Sequence, residues 1–254
     1  MNYEVIREKV GKLKGKVGFC YKDLDSGDSF GVNEDEPFIA ASIIKIPILI
    51  EAYRQFREKI LFKEELVEIK ESDRVPSCGA AAYIHPGARL MLKDLCVLMI
   101  VLSDNMAANI LIKKLKMSNI NNTMKQLGMK KTKVNRILFD SDAEKAGKQN
   151  YFAPDEILKL FEMMWKGSLI SRQDSEDMIK IFKLQQINYK MPYLLSEDIC
   201  VAHKTGDDEG ITHDAGIVYA RKPFILCFAS NETDVNETDE LIRKTTREIF
   251  EQHS

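Results

Sequence analysis

Ser42 and Lys45 stand three residues apart in the run Ala40-Ala41-Ser42-Ile43-Ile44-Lys45-Ile46-Pro47-Ile48-Leu49-Ile50, which is otherwise apolar. A lysine in such a run needs a partner, because a buried ammonium is costly unless it is paired or gives up its proton. On a helix, residues three apart share a face, so Ser42 and Lys45 meet. A desolvated lysine can take the proton of a neighbouring hydroxyl, which makes a serine nucleophile without histidine. At a helix N-terminus the backbone N–H groups also favour developing negative charge. Taken alone, the pair has a plainer reading, with Ser42 as a helix cap and Lys45 reaching solvent. The isoleucines on both sides of Lys45 count against an open path to water. No other serine in the chain has a lysine three residues on.

Two further pieces carry polar groups. Ser103-Asp104-Asn105 follows an apolar stretch, and Lys204-Thr205-Gly206 ends a stretch that reads as a strand. Each has a structural reading of its own: a helix cap for the first, a strand end with a glycine turn for the second.

The elements that must position these groups follow from periodicity. Met1–Leu13 carries a helical stripe of Val5, Ile6, Val10 and Leu13. Lys16–Asn33 reads as a hairpin, with "DSGD" as its turn. Ala41 to about Gln55 is helical in pattern. "LMLKDLCVLMIVL" is apolar on nearly every side, as expected of a helix inside a helical layer. "SDNMAANILIKKL" starts another helix with Asp104 or Asn105 as cap, and Pro154-Asp155-Glu156 opens a third. "CVAHKTG", "HDAGIVYA" and "FILCFAS" return to strands, and Glu237–Gln252 closes the chain as an amphipathic helix. Strands near both ends with helices between imply a mixed α/β domain from residues 1–40 and 198–254 and an all-helical domain over 41–197.

Composition narrows the function. The chain has 254 residues, 44% hydrophobic and 30% charged, with a net charge of -2. That suits a globular protein with a sizeable core. No basic stretch interleaved with aromatics points to nucleic acid. The apolar run around Leu95–Leu102 is too short to span a bilayer, and the N-terminus does not read as a signal peptide. The chain therefore reads as cytoplasmic, or as secreted if an export signal has been removed. Cys20, Cys78, Cys96, Cys200 and Cys227 are scattered and odd in number, and read as reduced and mostly buried. His85, His203, His213 and His253 form no metal-ligand spacing and no pair with a serine, and His203 and His213 read as structural. Trp165, Met163 and Met164 fall at helical spacing and read as core.

Taken in order, SxxK, SDN and KTG resemble the active-site signature of class A β-lactamases and penicillin-binding proteins. "NEDEPFIAASIIK" looks like that family's strand leading into the nucleophile helix, and "GARLMLKDLCVLMIVLSDNMAANILI" like its central helix and following loop. "HKTGDDEGITHDAGIVY" looks like its KTG strand and the neighbour. The resemblance covers about residues 16 to 250. It implies an antiparallel sheet with flanking helices plus an inserted helical domain, with the active site at their interface.

By the same resemblance, Ser42 attacks a β-lactam or related acyl donor, with Lys45 as base or relay. Ser103 passes the proton to the departing nitrogen. Asn105 holds the substrate's amide, Lys204 and Thr205 bind its carboxylate, and Gly206 lets it lie against the strand. The backbone N–H groups of Ser42 and Asp207 form the oxyanion hole. No cofactor or metal is implied. The partner is a small molecule, and the chain is expected to act as a monomer.

One part departs from the pattern. Class A enzymes release the acyl group with a glutamate, followed four residues later by an asparagine, on a loop corresponding to about Arg136–Asn150. That stretch, "RILFDSDAEKAGKQN", has no such pair. The glutamate's place falls near Ile137 or Leu138, which cannot activate water. Asp140 and Glu144 are the nearest carboxylates. Asp140 is the candidate water-activating base, and loop solvation or an ion pair with Arg136 or Lys145 is its alternative reading. Three functions stay open: a β-lactamase-like hydrolase; a carboxypeptidase, amidase or esterase that recognises penicillin; and a covalent binding module that stays acylated.

Overall fold

The computed structural model describes residues 3–76 and 79–254, so Cys78 lies outside the described residues. The chain opens with α1 (Tyr3–Gly11), then β1 (Lys16–Asp23), β2 (Ser29–Val32) and the short β3 (Phe38–Ile39). A 3₁₀ turn, Ala41–Ile44, leads into α2 (Lys45–Arg57). Next come β4 (Leu66–Glu68), β5 (Arg89–Met91), α3 (Leu92–Val101), α4 (Asn105–Leu115), α5 (Met117–Gln126) and α6 (Ser141–Lys145). β6 (Tyr151–Phe152), α7 (Pro154–Trp165) and α8 (Arg172–Phe182) complete the middle. β7 (Val201–Asp208), β8 (Ile211–Val218), β9 (Phe224–Asn231) and α9 (Val235–His253) follow.

β2, β1, β9, β8 and β7 form one antiparallel sheet in that order, so the first and last strands of the chain are neighbours. Alternation along each strand gives the sheet two apolar faces. Val17, Phe19, Leu226 and Phe228 pack with Ile6 and Val10 of α1 and Ile242 and Ile249 of α9. On the other face Ala202, Ala215, Ile217 and Cys227 join a larger core with residues of α2, α3, α4, α7 and α8. The expected mix of antiparallel sheet and helices is what the chain adopts. α7, opened by Pro154 at a position where a missing N–H costs nothing, packs against β9 and β1.

The stretch from Ala41 is less regular than its pattern suggested. Ala41 has φ 40°, a left-handed conformation that no α-helical residue can hold. The turn therefore winds as 3₁₀ through Ile44, and the α-helix starts only at Lys45. The stretch Arg136–Asn150 is also partly ordered into α6, with Asp140 capping it by accepting from the Ala143 N–H at 3.0 Å. No helix among the described residues is long and apolar enough to cross a membrane. Cys20, Cys96, Cys200 and Cys227 are free thiols, and all but Cys200 are buried.

His213 ties three strands together. Its Nε2–H donates to the Ile39 carbonyl at 2.9 Å, and Nδ1 accepts from the Ser230 N–H at 3.1 Å. The ring is fully buried, and burial pushes it down from its ordinary 6.5 to about 4. The unfolded chain therefore takes up a proton near pH 6.5 that the native state refuses until about pH 4. Urea denaturation should show stability falling across that window as pH drops, by up to about 3 kcal/mol from this group. His213→Gln should flatten that part of the slope; an unchanged slope would show that another group sets it.

Candidate active site

Ser42 and Lys45 lie in the 3₁₀ turn and at its junction with α2. In a 3₁₀ turn residues i and i+3 eclipse each other, which stacks the two side chains more directly than an α-helix would. The Lys45 N–H bonds back to the Ser42 carbonyl, and the Lys45 Nζ lies 2.7 Å from the Ser42 Oγ. Lys45 is fully buried and Ser42 is half-buried. Ser42 makes no side-chain cap, so its hydroxyl is committed to the lysine rather than to the helix end.

Ser103 and Asn105 supply the other side of the lysine's shell. Nζ lies 2.7 Å from the Ser103 carbonyl, 3.1 Å from the Ser103 Oγ and 2.5 Å from the Asn105 Oδ1. The Ser103 carbonyl and the Asn105 Oδ1 can only accept, so they take two N–H bonds. The third direction, toward Ser42, serves equally for an N–H donated to the hydroxyl or for a lone pair receiving its proton. All four oxygens are uncharged. Asp104 builds the bend that brings them in. Its Oδ1 accepts from the Ala107 N–H at 2.9 Å as the α4 cap, and its Oδ2 accepts from the Ala81 N–H at 2.7 Å. Ser103 itself sits at φ 53°, a strained conformation held by this bend.

Lys204 comes from β7. Its Nζ lies 3.0 Å from the Ser103 Oγ and 2.7 Å from the Thr205 carbonyl. One serine hydroxyl is thus shared by two lysines that are both fully buried. The Thr205 hydroxyl beside them is buried with no hydrogen-bond partner among the described residues. Gly206 lets the strand meet the 3₁₀ turn: a Cβ there would lie 3.2 Å from the Ile43 Cγ1 and 3.0 Å from the His213 ring. The glycine therefore serves internal packing as well as any ligand. Asp207 is next, its side chain half-exposed.

Asp140 is not joined to this cluster by any hydrogen bond among the described residues; its Oδ1 caps α6. Glu144 pairs with Arg136 at 3.1 Å. Leu138 is held to α4 by Asn109, whose Oδ1 accepts from the Leu138 N–H at 2.7 Å and whose Nδ2 donates to the Leu138 carbonyl at 2.8 Å. Asn109 escaped the sequence reading, although it lies one helical turn beyond Asn105 on the same face. Lys190 escaped it as well. This fully buried lysine donates to the Gly206 and His213 carbonyls and to Asp207. His203 faces away from Lys204, bonded to Asp214 at 2.8 Å and Asn188 at 3.0 Å, as a structural group.

Comparison with known proteins gives one consistent answer. The β-lactamase CARB-4 of Pseudomonas aeruginosa is 24% identical over 251 residues, covering 95% of this chain and 86% of that protein. The crystal structure of a β-lactamase from Sphaerobacter thermophilus superposes with a TM-score of 0.90 at 24% identity, covering 100% of this chain and 98% of that one. PBP-A, in the form of an L158E mutant solved as its acyl-enzyme complex with penicillin G, superposes with a TM-score of 0.89 at 25% identity, covering 98% and 95%. A family model described as "Beta-lactamase enzyme family" matches residues 3–253. On that match, which runs through all three motifs and the strands and helices that join them, the chain belongs to the beta-lactamase enzyme family.

Proposed function

We propose that the chain is a serine hydrolase that opens β-lactam or related cyclic amide rings through an acyl-enzyme on Ser42. The observation that carries this reading is the shared proton path: Lys45 Nζ at 2.7 Å from the Ser42 Oγ and 3.1 Å from the Ser103 Oγ. Ser42 Oγ attacks the ring carbonyl and its proton passes to Lys45. As the C–N bond breaks, Ser103 delivers its proton to the departing nitrogen and takes the Ser42 proton back from Lys45, 3.1 Å away. Lys204, 3.0 Å from the Ser103 Oγ, favours the deprotonated form of that hydroxyl. The N–H groups of Ser42 and Asp207 receive the oxyanion, each such donor contributing about 3 kcal/mol in the transition state. Lys204 and the unpaired Thr205 hydroxyl hold a substrate carboxylate, and Asn105 holds its amide.

Release of the acyl group is the slower half. By the family resemblance the place of the deacylating glutamate falls near Ile137 or Leu138, and Leu138, fixed by Asn109, brings no acid–base group there. In this reading Asp140 supplies the base, with one oxygen capping α6 and the other holding the water. Leu138 favours a second reading, a penicillin-recognising carboxypeptidase, amidase or esterase, or a covalent binder that turns over slowly. The L158E mutant of PBP-A, solved as an acyl-enzyme complex with penicillin G, shows that this fold can carry such an adduct.

A chromogenic cephalosporin separates the two. The expected record is a burst of one equivalent, with the adduct on Ser42 by mass spectrometry, followed by slower steady turnover. A burst without turnover moves the chain to the second reading, and no reaction removes both. Asp140→Asn should then slow deacylation by about a hundredfold while sparing the burst. An unchanged deacylation rate would confine Asp140 to its cap.

A further inference from the structure

Lys190 lies outside the three motifs, in the irregular stretch between α8 and β7, yet its side chain is completely buried. Its ammonium carries three protons and meets three acceptors: the His213 carbonyl at 2.9 Å, the Gly206 carbonyl at 3.2 Å and the Asp207 Oδ1 at 2.6 Å. These acceptors belong to adjacent rungs of β7 and β8, where Gly206 pairs with His213 and Asp207 with Thr212. Tyr189 donates from its hydroxyl to the same Asp207 Oδ1 at 2.7 Å. The segment is pinned on both sides. Asn188 bonds His203 at 3.0 Å, the Met191 N–H donates to the Asp214 Oδ2 at 3.0 Å, and Arg243 of α9 donates to the Tyr189 carbonyl at 2.7 Å.

The geometry points to Lys190 as the positioning residue of the oxyanion hole. It grips the peptide between Gly206 and Asp207 by its carbonyl, and the next residue by its side chain. That peptide's N–H is the one offered to the oxyanion in the proposed reaction, and this inference rests on that reading. A surface strand end is free to shift, and a misplacement of an ångström at a reacting centre can cost about a hundredfold in rate. Burying an ammonium to hold one peptide is expensive in desolvation. The bonding here fixes that peptide from its carbonyl and from the following side chain at once. Lys190 also balances Asp207, whose carboxylate lies on the same strand face as Thr205, two residues away.

The test compares wild type, Lys190→Met, Lys190→Met with Asp207→Asn, and Tyr189→Phe. Each is assayed for pre-steady-state acylation by a chromogenic cephalosporin and for binding of a boronic acid, whose tetrahedral adduct on Ser42 places an oxygen in the hole. Lys190→Met should lower the acylation rate constant and the boronic acid affinity together, by about tenfold or more, with initial substrate binding nearly unchanged. Adding Asp207→Asn should raise the melting temperature of the Lys190→Met protein without restoring acylation. If Lys190→Met does not fold, the half-exposed Tyr189→Phe carries the test with a smaller loss in the same two quantities. Wild-type acylation and boronic acid affinity in the folded variants, or a loss confined to initial binding, would overturn the role of Lys190 alone. A wild-type protein that neither acylates nor binds the boronic acid would remove the proposed reaction and this role with it.

Discussion

A single lysine nitrogen, taken out of water and surrounded by four uncharged oxygens, sets the terms for the rest of the molecule. Removing an ammonium from solvent costs several kcal/mol even after relaxation. The oxygens around Lys45 Nζ return much of that as hydrogen bonds, and they come from two separate elements, the 3₁₀ turn and the bend before α4. Neither element can move without leaving a buried polar group unpaired. The strained backbone at Ala41 and Ser103 lies in these two elements, and it persists because the surrounding core over-determines it.

The sheet meets the helices at the same point. Gly206 allows β7 to touch Ile43, so that the turn carrying Ser42 rests directly on the strand that carries Lys204. His213 then links that strand pair to β3, which leads into the turn. The Ser103 hydroxyl ends between two lysine nitrogens, one from each side of the interface. Sheet and helices are therefore held in register by groups that would also carry the chemistry. A substitution aimed at reactivity will for that reason also affect packing.

Much of this was legible in the sequence because it is periodic or ordered. The apolar runs of the late strands, the proline at the start of α7 and the aspartate before α4 each leave a local mark. The order SxxK, SDN, KTG links three distant places that no local signal connects. What escaped depends on tertiary contact. The left-handed Ala41 is imposed by packing, since alanine has no preference for that conformation. α6 is too short to show a period. Lys190 looks like a surface lysine because the acceptors that bury it lie on strands that follow it in the chain. Asn109 was within reach, as a polar residue on an apolar helix face one turn beyond Asn105.

The central claim is that the amine at position 45 moves the Ser42 proton. Replacing Lys45 by alanine and following covalent modification of Ser42 by intact mass spectrometry tests it most directly. The expected result is a folded protein whose acylation rate is lower by about a thousandfold, with the adduct still forming on Ser42 at long times. Acylation at the wild-type rate in that variant would contradict it.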